Sequence, residues 1–437
     1  MASTYLYRQV SSSDTNKNKV TISLWFKKCT TGVEETLISG WMSDNNRWKM
    51  RFKSDDTLDA EFGYGGTWYS LRTNRKFRDT SGWYNCVLAY DTTQGTASER
   101  VKMYINGIQE TSFTEEVYPP QNYGIYLVEN TAQVGIGRGY YGGSYQSGTN
   151  WSGLMSHVYV TDGYTYTAST FGSTDSTTGE WQINTSPSIT MGNNGFTVLK
   201  DGNTYTDQSA NSNDFTLSGT LTKTEDCPSN VFATLNPLNY TSSAITYSNG
   251  NTKATYPGAW MASQGTIGAL TGKYYWEAKV NSGNNANLFY GISISQIDLD
   301  TAPQNKAGVI SQHIAGDRYV DTVYTASAAE TFSNGNILGV ALDLDSATKT
   351  VKFYKNGALL TSSSSINLTS TFDNEFIMPF FAGNNSSATS IWETNFGNGY
   401  FGTTAVASAG TNASGIGIFE YDVPTGYTAL STKGLNL

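Results

Sequence analysis

Two carboxylates stand two apart in "LDAEF" (Leu58–Phe62), so on an extended chain Asp59 and Glu61 share a face. A retaining glycoside hydrolase needs two carboxyl groups about 5 Å apart, which makes this the first pair to substitute in a test for that chemistry. Asp343 with Asp345, and Asp298 with Asp300, repeat the spacing; the former reads as solvent-face polarity before a turn. The rest of a catalytic apparatus is thin. Of the two histidines, His157 sits in strand-like "SHVYV" and reads as structural, and His313 sits in the polar, loop-like "ISQHIAGDRY" and reads as a surface residue. No Gly-x-Ser-x-Gly elbow occurs. "VGIGRG" (Val134–Gly139) lacks the third glycine of a dinucleotide fingerprint and leads into no helix, so it reads as a strand and a tight turn. Cys29, Cys86 and Cys227 supply neither a disulfide framework nor metal-ligand spacing. The expectation is a protein that is not an enzyme.

Binding chemistry is better represented. Aromatic residues cluster in turn-rich surroundings: Trp41 and Trp48 around "WMSDNNRW", Tyr64, Trp68 and Tyr69 in "GYGGTWYS", and Tyr140 and Tyr141 in "GRGYYGGSY". A sugar ring presents an apolar C–H face to such rings, and neighbouring amides and carboxylates take its hydroxyls. Tyr and Trp also dominate protein interfaces, and rings on loops are equally served by packing. These three readings, glycan contact, subunit contact and plain packing, stand side by side. Asp44, Asn45 and Asn46 bring calcium-type oxygen ligands, although Asp and Asn are also ordinary turn residues. No cofactor is expected, with calcium the one ion these residues leave open.

The elements that carry these residues are strands. Charged residues make up only 14% of the 437, while Tyr counts 29 and Gly 44; few charges with many Tyr, Thr and turn formers describe an all-β chain. The net charge of −9 argues against nucleic acid and anionic membranes as partners. No apolar run is long enough to insert in a membrane, and "MASTYLYRQV" lacks a signal peptide's apolar stretch. One phrase is written twice: "VKMYINGIQE" from Val101 and "VKFYKNGALL" from Val351. Val101, Met103 and Ile105 alternate onto one face, as do Val351 and Phe353, and each strand runs into Asn-Gly, the strongest short hairpin signal. "NCVLAYD" and "GVALDLD" precede the two copies as alternating strands.

Around the first copy, "VTISLWFKK", "WYNCVLAYD", "VKMYINGI", "AQVGIGRG" and "WSGLMSHVYVTDG" follow one another in an order that resembles a laminin-G-like, concanavalin A-like jelly roll. Glycan hydrolases of that fold use a Glu-x-Asp-x-x-Glu strand, which this chain lacks. Around the second copy, "GKYYWEAKV", "LFYGISIS", "LGVALDLDSATKTVKFYKNG" and "PFFAG" resemble a SPRY domain. The expected fold is therefore all-β: two concanavalin A-like β-sandwiches joined by an ordered connector. The first spans 1–165, the connector 166–235 with short strands at "GFTVLKD" and "NDFTLSG", and the second 236–437 with one late strand at "GIFEYD". The connector "SANSNDFTLSGTLTKTEDCPSNVFATLNPL" and the ending "PTGYTALSTKGLN" resemble those of marine tailed-phage virion proteins. That resemblance implies a structural virion protein, a capsid- or tail-attached fibre, knob or appendage, assembled in the host cytoplasm. Its implied partners are other virion proteins, further copies of itself and host-surface glycans. A non-viral glycan-binding lectin or adhesin, and a polysaccharide depolymerase, are the alternatives.

Overall fold

The computed structural model describes residues 4–200, 202, 204–240, 244–258, 260–281, 287–299, 302–326, 330–361, 365–384 and 390–437. Asp300, and Asp201 at the end of one expected strand, lie outside them. Among the described residues the regular structure is β-strand and short 3₁₀ turns, with no α-helix. The chain divides into two compact units, Met1–Lys223 and Thr224–Leu437. Each is a β-sandwich, as the alternation in the sequence requires.

In the first unit an eight-stranded antiparallel sheet runs in the order Phe113–Val117, Thr67–Lys76, Thr57–Tyr64, Asn46–Phe52, Glu35–Ser43, Gln133–Ile136, Tyr5–Gln9, Thr216–Ser218. The facing sheet has six: Phe196–Val198, Leu154–Val160, Lys19–Lys27, Tyr84–Asp91, Val101–Ile105, Ile108–Gln109. Inward residues of both, among them Trp48, Met50 and Phe52 from one and Leu24, Phe26 and Met103 from the other, form a single core. The stretch read as a connector is shared between the units. Phe196–Val198 and Thr216–Ser218 each add an edge strand to the first. Arg8 fastens them: its guanidinium lies 5.8 Å from the ring centroids of both Phe196 and Phe215 and donates to Asn213 Oδ1 at 2.9 Å. From Thr224 onward the chain belongs to the second unit, where Phe232, Ala233 and Leu235 are buried.

The second unit pairs a seven-stranded sheet, from Leu235–Tyr240 to Val323–Thr325, with a larger one centred on Lys273–Val280 and Ile337–Asp343. Trp276, Val340 and Phe353 meet Tyr290, Ile292 and Phe381 between them. The repeated phrase does the same thing in both units. Asn106 and Gly107 take φ of 46° and 79°, and Asn356 and Gly357 take 48° and 80°, the left-handed pair of a tight hairpin turn. Each Asn also grips the neighbouring strand: Asn106 Oδ1 accepts from the Asn85 N–H at 2.7 Å, and Asn356 Oδ1 from the Ile337 N–H at 2.9 Å. Each turn glycine is covered by an aromatic ring, Trp181 over Gly107 and Tyr421 over Gly357.

Two expectations are corrected. His313 is not a loop residue at the surface. It ends the strand Val309–His313, is 8% exposed, and stacks on Phe289 with centroids 4.4 Å apart. "GIFEYD" (Gly417–Asp422) forms no strand. A single bridge joins Ile418 to Asn398, and the successive N–H groups of Glu420 and Tyr421 go to the Glu277 carboxylate at 2.9 Å each. Tyr275 Oη and Asn395 Nδ2 donate to the same carboxylate, at 3.2 and 3.3 Å. Glu277 is wholly buried, and burial pushes its carboxyl up to about 7 in spite of these donors.

Candidate functional site

The outward face of the eight-stranded sheet collects most of the chemistry singled out in the sequence. Register places Trp41 opposite Arg47, Arg47 opposite Gly63, and Gly63 opposite Trp68, one straight row across four strands. Gly63 has no side chain, so the Trp68 ring lies across its backbone; a Cβ there would stand 2.2 Å from the ring. The Arg47 guanidinium then sits 4.3 Å from the Trp68 centroid and 5.3 Å from that of Tyr141. Tyr141 arrives from the small hairpin Tyr140–Tyr141/Ser144–Tyr145, which also brings Tyr140 within 5.0 Å of Trp41 and Tyr145 within 4.5 Å of Tyr5. Trp41, Trp68, Tyr140 and Tyr141, far apart in the chain, thus lie on one face. Trp68 keeps 40% of its surface exposed.

The turn residues hold this hairpin in place. Asp44 Oδ1 accepts the Gly142 N–H at 2.7 Å and the Trp41 Nε1–H at 3.2 Å, and these donors, Gly142 first, hold the carboxyl below its usual range. Asn46 Oδ1 accepts from the Gly65 N–H at 3.0 Å and the Tyr126 hydroxyl at 3.2 Å, and the Asn45 carbonyl accepts the Gly66 N–H. The three residues weighed as calcium ligands therefore tie two turns together. Among the described residues no group of three His, Cys, Asp or Glu side chains is placed to hold a metal.

Three of the aromatic candidates lie elsewhere. Trp48 is a core residue, 1% exposed, because it alternates with Arg47 and Lys49 on its strand and the sheet turns it inward. Tyr69 packs against the core, 6.4 Å from Tyr123. Tyr64 is exposed at a hairpin tip, its ring against Tyr123 rather than in the row. Conversely, Arg47, Tyr5, Tyr7 and Tyr145 belong to the face and were not singled out. The alternation of "NRWKMRF" is the signal that could have found Arg47.

Asp59 and Glu61 do share a face, but one guanidinium joins them. Arg51 Nε meets Asp59 Oδ2 at 3.1 Å, its Nη2 meets Glu61 Oε2 at 2.6 Å, and its Nη1 meets Glu34 Oε1 at 2.8 Å. Ser70 Oγ donates to Asp59 Oδ1 at 2.7 Å, and Lys49 Nζ lies 3.2 Å from Glu61 Oε1. The pair is the centre of a largely buried ion network beside the aromatic row on the same sheet face. Burial pulls the Lys49 ammonium below its usual value, against the pull of Glu61.

Residues 3–164 match a family model described as the concanavalin A-like lectin/glucanases superfamily. No curated protein matches the chain. Among solved structures, the SPRY domain of human HERC1 is similar at 17% identity and a TM-score of 0.31, over 37% of this chain and 96% of that one. The native heptameric SAP-like pentraxin from Limulus polyphemus is similar at 19% identity and 0.29, over 38% and 72%. A human SPRY domain is similar at 15% identity and 0.28, over 34% and 93%. Every residue of the aromatic face, from Tyr5 to Tyr145, falls within the stretch that matches the lectin/glucanase description.

Proposed function

We propose that the chain is an adhesive, non-enzymatic protein that holds saccharide on the outward face of its first sandwich. The observation that carries this reading is the row in which Arg47 props Trp68 and Tyr141 on the outward face of the sheet. An exposed, fixed ring offers a stacking surface to the C–H face of a pyranose at little entropic cost, and the Arg47 guanidinium beside it is a donor for hydroxyls. The match of residues 3–164 to a lectin/glucanase superfamily supports the same reading. The lectin side of that description is preferred because Asp59 and Glu61, the carboxylates nearest the row, are engaged by Arg51, Lys49 and Ser70.

In the finer form of this proposal the protein is a structural component of a tailed-phage particle, attached to capsid or tail, working as a symmetric oligomer beside other virion proteins. The connector and C-terminal phrases support it. Neither nucleic acid nor membrane insertion enters this reading, and no helix among the described residues is long and apolar enough to cross a membrane. The test has two arms. A glycan array probed with the purified chain should give saccharide binding that falls at least tenfold in Trp68→Ala; a blank array overturns the adhesive reading. Mass spectrometry of purified particles should contain the chain, and its absence overturns the virion reading and leaves a free lectin. Release of reducing ends from host polysaccharide would overturn the non-enzymatic part.

A further inference from the structure

The second unit carries its own arrangement of polar groups on the outward face of its larger sheet. Three adjacent strands place Lys253, Glu393 and Lys279 side by side, with Glu393 in register with both lysines. Glu393 is 8% exposed, and its Oε1 accepts from Lys253 Nζ at 3.1 Å and Asn281 Nδ2 at 3.0 Å. The Lys279 ammonium makes no ion pair or hydrogen bond with any described residue, its backbone being held in the ladder between Ile337 and Glu393. A lip closes one side: in the hairpin Tyr400–Phe401/Thr404–Ala405, Gly402 has φ of 60° and comes so near that a Cβ would stand 2.7 Å from Glu393 Oε1. Between lip and row is a cleft of about 480 Å³, within the range of small-molecule sites. Such sites are usually lined by apolar and aromatic side chains. This one is lined instead by ammonium, carboxylate, carboxamide and the Thr403 and Thr404 hydroxyls.

We propose that this cleft binds an anionic saccharide residue, a sugar bearing one carboxylate or one sulfate. Two ammonium groups and one carboxylate leave a local charge of +1, suited to a monoanion. Glu393 supplies an acceptor for sugar hydroxyls and would repel a phosphate dianion. No aromatic ring lines the cleft, so recognition rests on charge and hydrogen bonds and weakens with salt. The site is independent of the aromatic face of the first unit.

The test is calorimetric titration of the full chain with three probes: the methyl glycoside of galacturonate, a monosulfated galactose disaccharide and neutral maltotriose. One or both anionic probes should bind, the carboxylate and sulfate arms showing which anion is preferred, and maltotriose should bind the Trp68→Ala chain at least tenfold more weakly. Lys279→Ala should weaken the anionic probe at least tenfold, Lys279→Arg should keep most of the affinity, and Trp68→Ala should leave it unchanged. Amide exchange should show protection at Asn281 and Thr404 on binding, a readout that does not depend on any variant. The proposal is overturned if neither anion binds, if maltotriose binds the Trp68→Ala chain as well as the anions do, or if the affinity follows Trp68 instead of Lys279. The last result would leave the first-unit reading standing while removing this one.

Discussion

Replacing Glu277 by Gln should remove the fall in the second unit's stability that this carboxyl imposes between about pH 4.5 and 7, leaving the opposite rise from His313, whose imidazole burial holds below its usual value. In the native protein this carboxyl titrates near 7, against an ordinary value of 4.5 in the unfolded chain. The folded state therefore holds a proton that the unfolded chain has already released, and stability falls as pH rises through that window and levels off above it. The difference between 4.5 and about 7 corresponds to about 3 kcal/mol at 1.36 kcal/mol per pH unit. Glutamine has no proton to exchange. It also presents an NH₂ to two donors, whichever way it is turned: the Tyr421 N–H and Tyr275 O–H on one side, or the Glu420 N–H and Asn395 Nδ2–H on the other. Leaving such buried groups unsatisfied costs about 1–3 kcal/mol each. The variant should thus be less stable than the native chain near pH 5, with a deficit that shrinks by about 3 kcal/mol by pH 8. Urea unfolding from pH 5 to 8 measures this, and hydrogen exchange at the Glu420 and Tyr421 amides reports the clamp itself. Parallel pH profiles for the two proteins, or unchanged exchange at those amides, would refute the reasoning.

Other substitutions sort structural from functional residues. Arg51→Ala strands Asp59, 3% exposed, and should cost about 3–5 kcal/mol in urea unfolding. By contrast Lys306→Ala removes a partner of the exposed Asp298 carboxylate and should cost less than about 1 kcal/mol. Trp48→Ala should cost about 3–5 kcal/mol, read by the same unfolding, because it opens a cavity in the first core; Trp68→Ala should leave the midpoint nearly unchanged while removing neutral-saccharide binding at the aromatic face. Gly192→Ala sets a side chain at φ 71° with its Cβ 1.7 Å from the Asp162 carbonyl oxygen, so limited proteolysis should cut within 166–223 faster than in the native chain.

Alternation and Asn-Gly turns made both sandwiches legible, because the inward rows of Val101–Ile105 and Thr350–Lys355 and their left-handed turns are local properties. What local pattern hid was parity across a turn. Trp41 and Trp48 flank the same hairpin, yet register pairs Trp41 with Arg47 and Gly40 with Trp48, which sends one ring out and the other into the core. Tyr5 joined the face through Tyr145, a contact 140 residues distant in the chain that no window reveals. His313 looked polar by its neighbours, and its burial comes from Phe289 on the adjacent strand. "GIFEYD" alternates like a strand but is held by a side chain, because Glu277 takes the N–H groups that a ladder would have used.

The central claim, that the Trp68–Arg47–Tyr141 face holds sugar, is tested most directly by following the tryptophan indole resonances in an NMR titration with a neutral saccharide the chain binds. Shifts of the Trp68 and Trp41 signals, with Trp48, Trp276 and Trp392 unmoved, are the predicted result. Saturable binding that leaves Trp68 and Trp41 in place would contradict it.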